Sequence, residues 1–414
     1  MPGYSGATIN SSVTRDAGSA MLTHRRALVI GGGAAVGLLC AGSVYRAWDR
    51  GVWSSGQGIA YAPWQDWQGQ AADGFKRPLR AAILASNPHD TQPWLFGIAD
   101  RTIIVFADRS RHLGSFDPFR REMHLGLGAA VENLVLAAGA FGSAADVVPA
   151  DGTLGLSPDD TPVAAVQISL TPMPPVRNAL FDAIPNRHTH RGPYRADQSV
   201  GGERLQRLAA LAATDAVRVV FVEDASARGE LAALIVAATE RIIGDPQMSA
   251  DSARWYRTGR REIAAHRDGV TIDTAGLSRL MTATAKLMPD LDAQSADRYW
   301  LAATKDTELA TAPVLGVILV RDRLDMRSAI EAGRAWQRLH LGATADGLAA
   351  QPLNQPVECT DRSAMIGTND SFGPAIVKLT TAPGWQPTFV FRLGVAERPA
   401  NRSPRRALSE VLRS

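Results

Sequence analysis

The segment "IPNRHTHRGPY", residues 184–194, places Arg187, Thr189 and Arg191 at every second position. On an extended backbone, alternate side chains point to one face. Two guanidiniums and a hydroxyl on one face suit bidentate capture of a phosphate group. His188 and His190 lie between them, but no third metal-ligand cluster accompanies them. The plainer reading of the segment is a solvated basic loop. A second dense stretch is "ASNPHDTQPWLF", residues 85–96. Pro88 and Pro93 fix φ and hold a loop still. Asn87, Asp90 and Gln92 can then serve as donors or acceptors while Trp94 anchors the loop in a core. Asp90, when ionised, can only accept hydrogen bonds. The plainer reading here is a capped helix-to-strand turn. Near the end, "NRSPRRALSEVL", 401–412, carries Arg405 and Arg406, either of which could add a second approach to a phosphate.

The elements that must position these residues are legible in outline. Apolar periodicity predicts helices over 73–85, 119–141, 202–212, 226–243, 251–266 and 326–346. Strands are expected over Ile103–Ala107, Val163–Leu170 and Leu95–Ile98, then Val217–Glu223, Val314–Val320 and Pro387–Gly394. Helices run between a few β-rich segments without strict alternation, which favours an α+β layout. The chain also repeats itself. "GAAVENLVLAAGAFG" (128–142) matches "GRAWQRLHLGATADG" (333–347) at an offset of 205, pairing Leu134 with Leu339, Leu136 with Leu341 and Ala138 with Ala343. Both read as apolar, small-residue helices that belong inside a protein. One such helix per half implies a fused pseudo-dimer with the two helices packed at an internal two-fold; chance similarity of Ala/Leu/Gly helices is the alternative. Asp117-Pro118 supplies an expected N-cap and first-turn proline for the earlier copy.

Bulk composition narrows the classes. The chain has 414 residues, 45% hydrophobic and 21% charged, with net charge +3. So small and scattered a charge gives no footprint for nucleic acid. No G-K-[ST] triplet exists, which excludes a P-loop, and two cysteines make neither a disulfide framework nor a zinc site. The first 21 residues are Ser/Gly/Ala-rich and read as a disordered tail. Residues 27–45 carry no charge and follow Arg25-Arg26. This resembles a twin-arginine export signal, with Leu28 in the usual apolar place and Val29 where a basic residue is usual. No clear cleavage site follows, so the segment can remain as a membrane anchor. The competing reading of "LVIGGGAAVG" is a dinucleotide-binding turn with Asp49 as its acidic partner, but Val36 stands where the third small residue belongs. The expected organisation is therefore a tail and signal over 1–50, a linker over 51–72, a first half over 73–172 and a second over 173–414, with an insertion at about 245–310.

Together the motifs resemble the nitroreductase-like FMN-dependent oxidoreductases, specifically their Acg-type branch with its fused, double-length chain. "SNPHDTQPW" (86–94) is similar to the family's P-S-x-x-N-x-Q-P-W loop, with Asp90 where the family usually has Asn; "IPNRHTHRGPY" to its R-[RH]-[ST]-x-[RK] phosphate segment; "GLAAQPLNQPVE" (347–358) to the loop lying along the flavin ring; and 401–412 to its C-terminal arginine segment. The resemblance spans roughly residues 73 to 414. It implies a nitroreductase-like fold of two pseudo-symmetric halves and FMN held by Arg187, His188, Thr189, Arg191, Asn87, Pro88, Asp90, Gln92, Arg405 and Arg406. Backbone donors around Leu353, Asn354 and Gln355 would lie at the ring. It further implies NAD(P)H as reductant and a small electron-poor acceptor, a nitro compound or a quinone, with the flavin rather than any side chain doing the chemistry. Only the first half carries the N-P-H-x-T-Q-P-W loop and only the second the R-H-T-H-R segment, so one complete site and one FMN per monomeric chain are expected. The insertion, with Trp255, Tyr256, Arg257 and Trp300, is either a lid over the flavin or a surface helical pair with its own core. Two alternatives stay open: a flavin-binding or storage protein with little turnover, and a non-flavin protein of the cell envelope. Export or membrane anchoring is the expected location, with the cytoplasm as the alternative.

Overall fold

The computed structural model describes residues 42–413. Arg25-Arg26, the glycine-rich stretch 28–37 and all of 27–45 except its last four residues lie outside the described residues; residues 42–49 form a helix. In chain order the principal elements are α1 (Lys76–Ala82), β1 (Trp94–Ala99), β2 (Thr102–Ala107), α2 (Arg121–Ala140), β3 (Ser143–Pro149) and β4 (Val163–Pro172). Then follow α3 (Gly202–Ala212), β5 (Val217–Val222), α4 (Ala225–Ile243), β6 (Val314–Val320), α5 (Met326–Ala345), β7 (Ala349–Pro352), α6 (Gln355–Ile366), β8 (Gln386–Gly394) and β9 (Leu412–Arg413).

Two sheets carry one plan. The first runs β9-β1-β2-β4-β3 and the second β5-β6-β8-β7. Removing β9 leaves two four-stranded antiparallel sheets whose strands correspond one to one, each with a 20-residue helix between its second and third strands in sequence. The α+β class and the two pseudo-symmetric halves are thus visible directly. β9 breaks the symmetry: it runs parallel to β1, pairing Phe96 with Leu412 and Gly97 with Arg413, so the tail of the second half completes the sheet of the first.

The two central helices start and end 205 residues apart, at Arg121 and Met326 and at Ala140 and Ala345. They touch backbone to backbone. A Cβ built on Gly128 would lie 2.1 Å from the Ile330 carbonyl oxygen, and one on Gly333 would lie 2.0 Å from that of Leu125. These positions are exchanged by the 205-residue shift, so the contact is its own mirror under an internal two-fold. Polar pairs obey the same rule. Gln337 Nε2 donates to Asn133 Oδ1 at 2.8 Å, and the equivalent pair, Arg338 to Glu132, is ionic at 2.9 Å. Helix α2 is apolar and long enough to cross a membrane, but it is mostly buried in this seam and is a core helix.

Several expectations need correction. Helix α2 starts at Arg121, not at Pro118. Arg120, at φ 58, precedes it, and Asp117 caps from outside the helix, accepting from the backbone N–H of Glu122 and Met123 at 3.1 and 3.0 Å. The single helix expected over 251–266 is two, Pro246–Ala253 and Arg260–His266. Gly259 at φ 82 breaks the run, and Tyr256–Arg257 pairs instead with Val270–Thr271. Strands β3, β7 and β9 and helices α6 and Phe372–Leu379 were not anticipated.

Candidate functional site

The loop after α1 is held tightly at the seam between the halves. Asn87 Oδ1 accepts from the Gln92 backbone N–H at 2.7 Å, closing the turn. His89, Asp90 and Gln92 all have positive φ (45, 55 and 51°), a conformation L-residues keep only where surroundings impose it. The turn lies on Gly126 of α2, where a Cβ would meet Pro88 Cδ at 3.1 Å. Trp94 and Phe96 enter the core of the first sheet fully buried.

Against this loop come the two arginine segments. Arg187 and Arg405 are each 2% exposed. Arg187 donates to the Leu84 carbonyl at 2.8 Å. Arg405 donates to the Ala85 carbonyl at 3.1 Å, pairs with Asp90, and lies over the Trp64 ring at 5.0 Å. Burial, then the positive charge of Arg405, pulls the Arg187 guanidinium down to about 9. Burial lowers Arg405 too, opposed by Asp90. Burial lifts the Asp90 carboxyl to about 6 despite Arg405 and Asn87. The Nε atoms of both arginines and Oδ2 of Asp90 are buried without partners. Arg191 reaches the Thr274 carbonyl at 3.2 Å. His188, packed edge-on to Trp64 at 4.8 Å, is held neutral at about 3 by burial and by Arg187, Arg405 and Arg402.

These groups surround a polar cavity of about 40 Å³. Its walls are Ser86, Asn87 and Asp90 of the loop; Arg187, His188, Thr189 and Arg191; Asn401, Ser403 and Arg405 of the tail; and Gly269, Val270 and Thr274 of the insertion. Three guanidiniums thus face one carboxylate. Of the expected residues, seven line the cavity and the rest do not. Pro88 only shapes the loop. Gln92 is a bolt: its Nε2 donates to Arg267 O at 2.8 Å, and its Oε1 accepts from the Arg406 backbone at 2.7 Å. Arg406 turns away to the Gln92 and Trp94 carbonyls at 2.6 and 3.1 Å, which makes Arg405 the arginine that faces the site.

Leu353, Asn354 and Gln355 lie elsewhere. The Leu353 N–H donates to Val390 O at 2.8 Å, and Asn354 bridges the Val390 N–H, at 3.0 Å, to the Glu122 carboxylate. Around them is a buried acid cluster. Asp117 is raised to about 7, and Glu122 and Glu358 are raised, chiefly by burial, while Asp361 is met by Arg121 at 2.7 Å.

Three participants were not anticipated from the residues alone. Arg392, fully buried in β8, holds the His190 and Gly192 carbonyls at 3.1 and 2.7 Å and so fixes the R-H-T-H-R segment; a lone cation inside "TFVFRLG" was the available signal. Ser403 and Asn401 stood beside the arginines unremarked. The insertion contributes backbone rather than aromatics: Gly269 N–H donates to Asp90 O at 3.0 Å, roofing the cavity. Trp255 packs instead in a small core with Leu113, Phe116, Ile242 and Met248, with Trp300 against it, and Arg257 pairs with Asp268 at 2.8 Å. His89 ties this core to the loop through Ser252 Oγ at 2.9 Å.

With the geometry in hand, known proteins can be compared. No model of a known protein family matches the chain. Two proteins of Mycobacterium tuberculosis (strain ATCC 25618 / H37Rv) do match it. "Putative NAD(P)H nitroreductase Rv3131" is 26% identical over 353 residues, covering 82% of this chain and 91% of the relative. "Putative NAD(P)H nitroreductase acg" is 26% identical over 356 residues, covering 82% and 95%. The chain is thus similar to these two proteins over most of its length. Among solved structures, the FMN-dependent nitroreductase NfnB from Mycobacterium smegmatis in complex with NADPH aligns at 19% identity over 57% of this chain and 97% of that one, with a TM-score of 0.36. A nitroreductase with bound FMN from Desulfitobacterium hafniense DCB-2 aligns at 16% over 58% and 99%, with a TM-score of 0.35. Both likenesses are too partial to bear on this chain's chemistry.

Proposed function

We propose that the chain is an FMN-dependent NAD(P)H oxidoreductase that passes reducing equivalents to a small electron-poor acceptor, a nitro compound or a quinone. The observation that carries this reading is the convergence of Arg187, Arg191 and Arg405 on one buried cavity against a single carboxylate. An excess of buried positive charge calls for an anion. The unpartnered Nε atoms of Arg187 and Arg405 are donors without acceptors, and Thr189, Ser403, Asn87 and Asn401 add neutral donors. This donor set fits a phosphate dianion. It does not leave room for an isoalloxazine: a cavity of about 40 Å³ holds only a few waters, at roughly 10–15 Å³ for each. Gly269, Val270 and Thr274 and the Asp90–Arg405 pair stand in its walls, so flavin binding requires these walls to move apart.

When bound, the flavin supplies hydride acceptance and delivery. The chain's own part is binding and exclusion. Arg187 and Arg405 grip the phosphate, and Arg392 keeps the Arg187–Arg191 strand in register through two carbonyls. Asn87 holds the loop closed, and the insertion keeps bulk water out. Asp90, lifted to about 6, can hold a proton on Oδ2 in mildly acid conditions.

The test is the visible spectrum of the purified chain after incubation with FMN, before and after NADPH. Bound flavin that bleaches, at one per chain, supports the proposal; stoichiometry near two refutes the single-site reading. The closed roof favours a second reading, a flavin-binding protein with little turnover, and flavin that binds without bleaching would establish it. Failure to load any flavin would remove both. For location, we propose export or anchoring through residues 27–45; recovery of the full chain only in the soluble cytoplasmic fraction would exclude it.

A further inference from the structure

One helix of the insertion, Arg279–Leu287, has its faces reversed. Its buried face is polar: Thr282 and Lys286 are each 7% exposed. Its outer face is apolar: Leu280 and Met281 are 78% and 57% exposed, and Leu287 and Met288 at its end are 41% and 57% exposed. A helix on a protein surface normally turns its polar side to water, and contiguous exposed apolar surface marks a contact site.

The helix over 42–49 abuts the same end. Arg46 donates to the Leu287 and Met288 carbonyls at 2.8 and 2.6 Å, and Arg50 forks onto Asp290 at 2.8 Å. This helix exposes Val44, Tyr45 and Trp48, and Trp53 follows at 65%. Arg260 lies over the Trp48 ring at 5.0 Å. The uncharged stretch 27–45 runs directly into this patch. Exposed Trp and Tyr among arginines, beside an uncharged segment of spanning length, have the composition of a membrane–water interface. A helix with Leu and Met outward suits lying in that plane.

We propose that this face is the protein's bilayer-contacting surface, with helix Arg279–Leu287 lying in the headgroup–acyl boundary and Leu280, Met281 and Leu287 immersed, beside the helix over 42–49. The occupant is lipid. The contact bears on the site through one residue. On the reverse of the helix, Lys286 Nζ donates to the Gly51 carbonyl at 2.9 Å, to Ser55 Oγ at 3.0 Å and to Asp273 at 2.9 Å. Asp273 adjoins Thr274, which lines the guanidinium cavity.

The test uses the full chain in phosphatidylcholine–phosphatidylglycerol vesicles. In a Cys40→Ser background Cys359 is buried and silent to labelling. A nitroxide on Leu280→Cys is compared with one on Val148→Cys, in strand β3 and 50% exposed. The proposal expects collisions of the Leu280 label with a water-soluble nickel chelate to fall several-fold below those of the control, and collisions with oxygen to rise. The helix abuts residues 42–49, so nearness to an anchor alone leaves the Leu280 label within reach of the nickel chelate, and only immersion excludes it. Equal nickel collisions at both positions overturn the proposal. So does protection that follows protein concentration rather than lipid, which would make the occupant a second copy, and so does failure to associate with vesicles. Because a label could disturb the helix, the unlabelled Leu280→Glu/Met281→Glu chain provides a second measurement. Quenching of its tryptophans by brominated lipid should drop from the wild-type value, and unchanged quenching counts against the proposal.

Discussion

On the proposed function, phosphate recognition turns on Arg187, because its Nε is buried with no partner while its Nη2 is already spent on the Leu84 carbonyl. Replacing it with alanine should weaken FMN binding by about 2 kcal/mol, roughly thirtyfold, the worth of a hydrogen bond to a charged group. Riboflavin, which lacks the phosphate, should bind the variant and the wild type alike; titration by flavin fluorescence separates the two. Asp90 makes a second prediction. Its carboxyl is lifted from 3.8 to about 6, so the folded chain holds that proton more tightly than the unfolded chain does. Its contribution to stability is then greatest below about pH 4, declines as pH rises, and has lost about 3 kcal/mol once pH passes 6. Urea unfolding at acid and neutral pH should show this decline in the wild type and a flatter profile in Asp90→Asn. The variant, neutral at every pH, should match the wild type in acid and be the more stable of the two at neutral pH, where inorganic phosphate beside Arg405 should raise it further.

At the scale of elements, the α2–α5 seam depends on two absent side chains. Gly128→Ala and Gly333→Ala each drive a Cβ to about 2 Å from a carbonyl oxygen of the other helix. Each should lower the urea midpoint by an amount equivalent to at least 1–3 kcal/mol, roughly the range for overpacking. Gly229→Ala, in α4 with nothing within 4 Å of its Cβ, should instead stabilise by about 0.5–1 kcal/mol. The seam could be read from the sequence because small residues recur at a fixed offset in both copies. The polar segments could also be read, since so many donors in so few residues have few structural uses. Strand β3, "SAADVVP", could not: an aspartate, three small residues and a proline mask its alternation, and pairing with β4 decides it. The broken helix at Gly259 was missed because its flanks are helix-forming; a lid from the insertion was one of the two expected readings, but its residues at the cavity were missed because backbone from Gly269 to Thr274 has no signature until the fold brings it there.

For the whole molecule, the tail is the part that joins the halves. Arg405 and Arg406 reach four carbonyls of the earlier chain: the Arg405 backbone N–H donates to Ala60 O at 2.7 Å, its side chain to Ala85 O, and the Arg406 side chain to Gln92 O and Trp94 O, and β9 then closes the sheet beside β1. Ending the chain after Ala400 should therefore abolish flavin binding and also destabilise the first half. Limited proteolysis should cut such a truncated chain within residues 73–172 while the second sheet resists. The same pairing governs how the protein is made. Phe96 leaves the ribosome more than three hundred residues before Leu412, its partner across the sheet. The first lobe must wait through all of those residues with an open strand edge, and the cavity beside Arg187 lacks one wall until Asn401, Ser403 and Arg405 have been made. Synthesis, not diffusion of the ligand, then sets the earliest moment at which a nascent chain can be loaded.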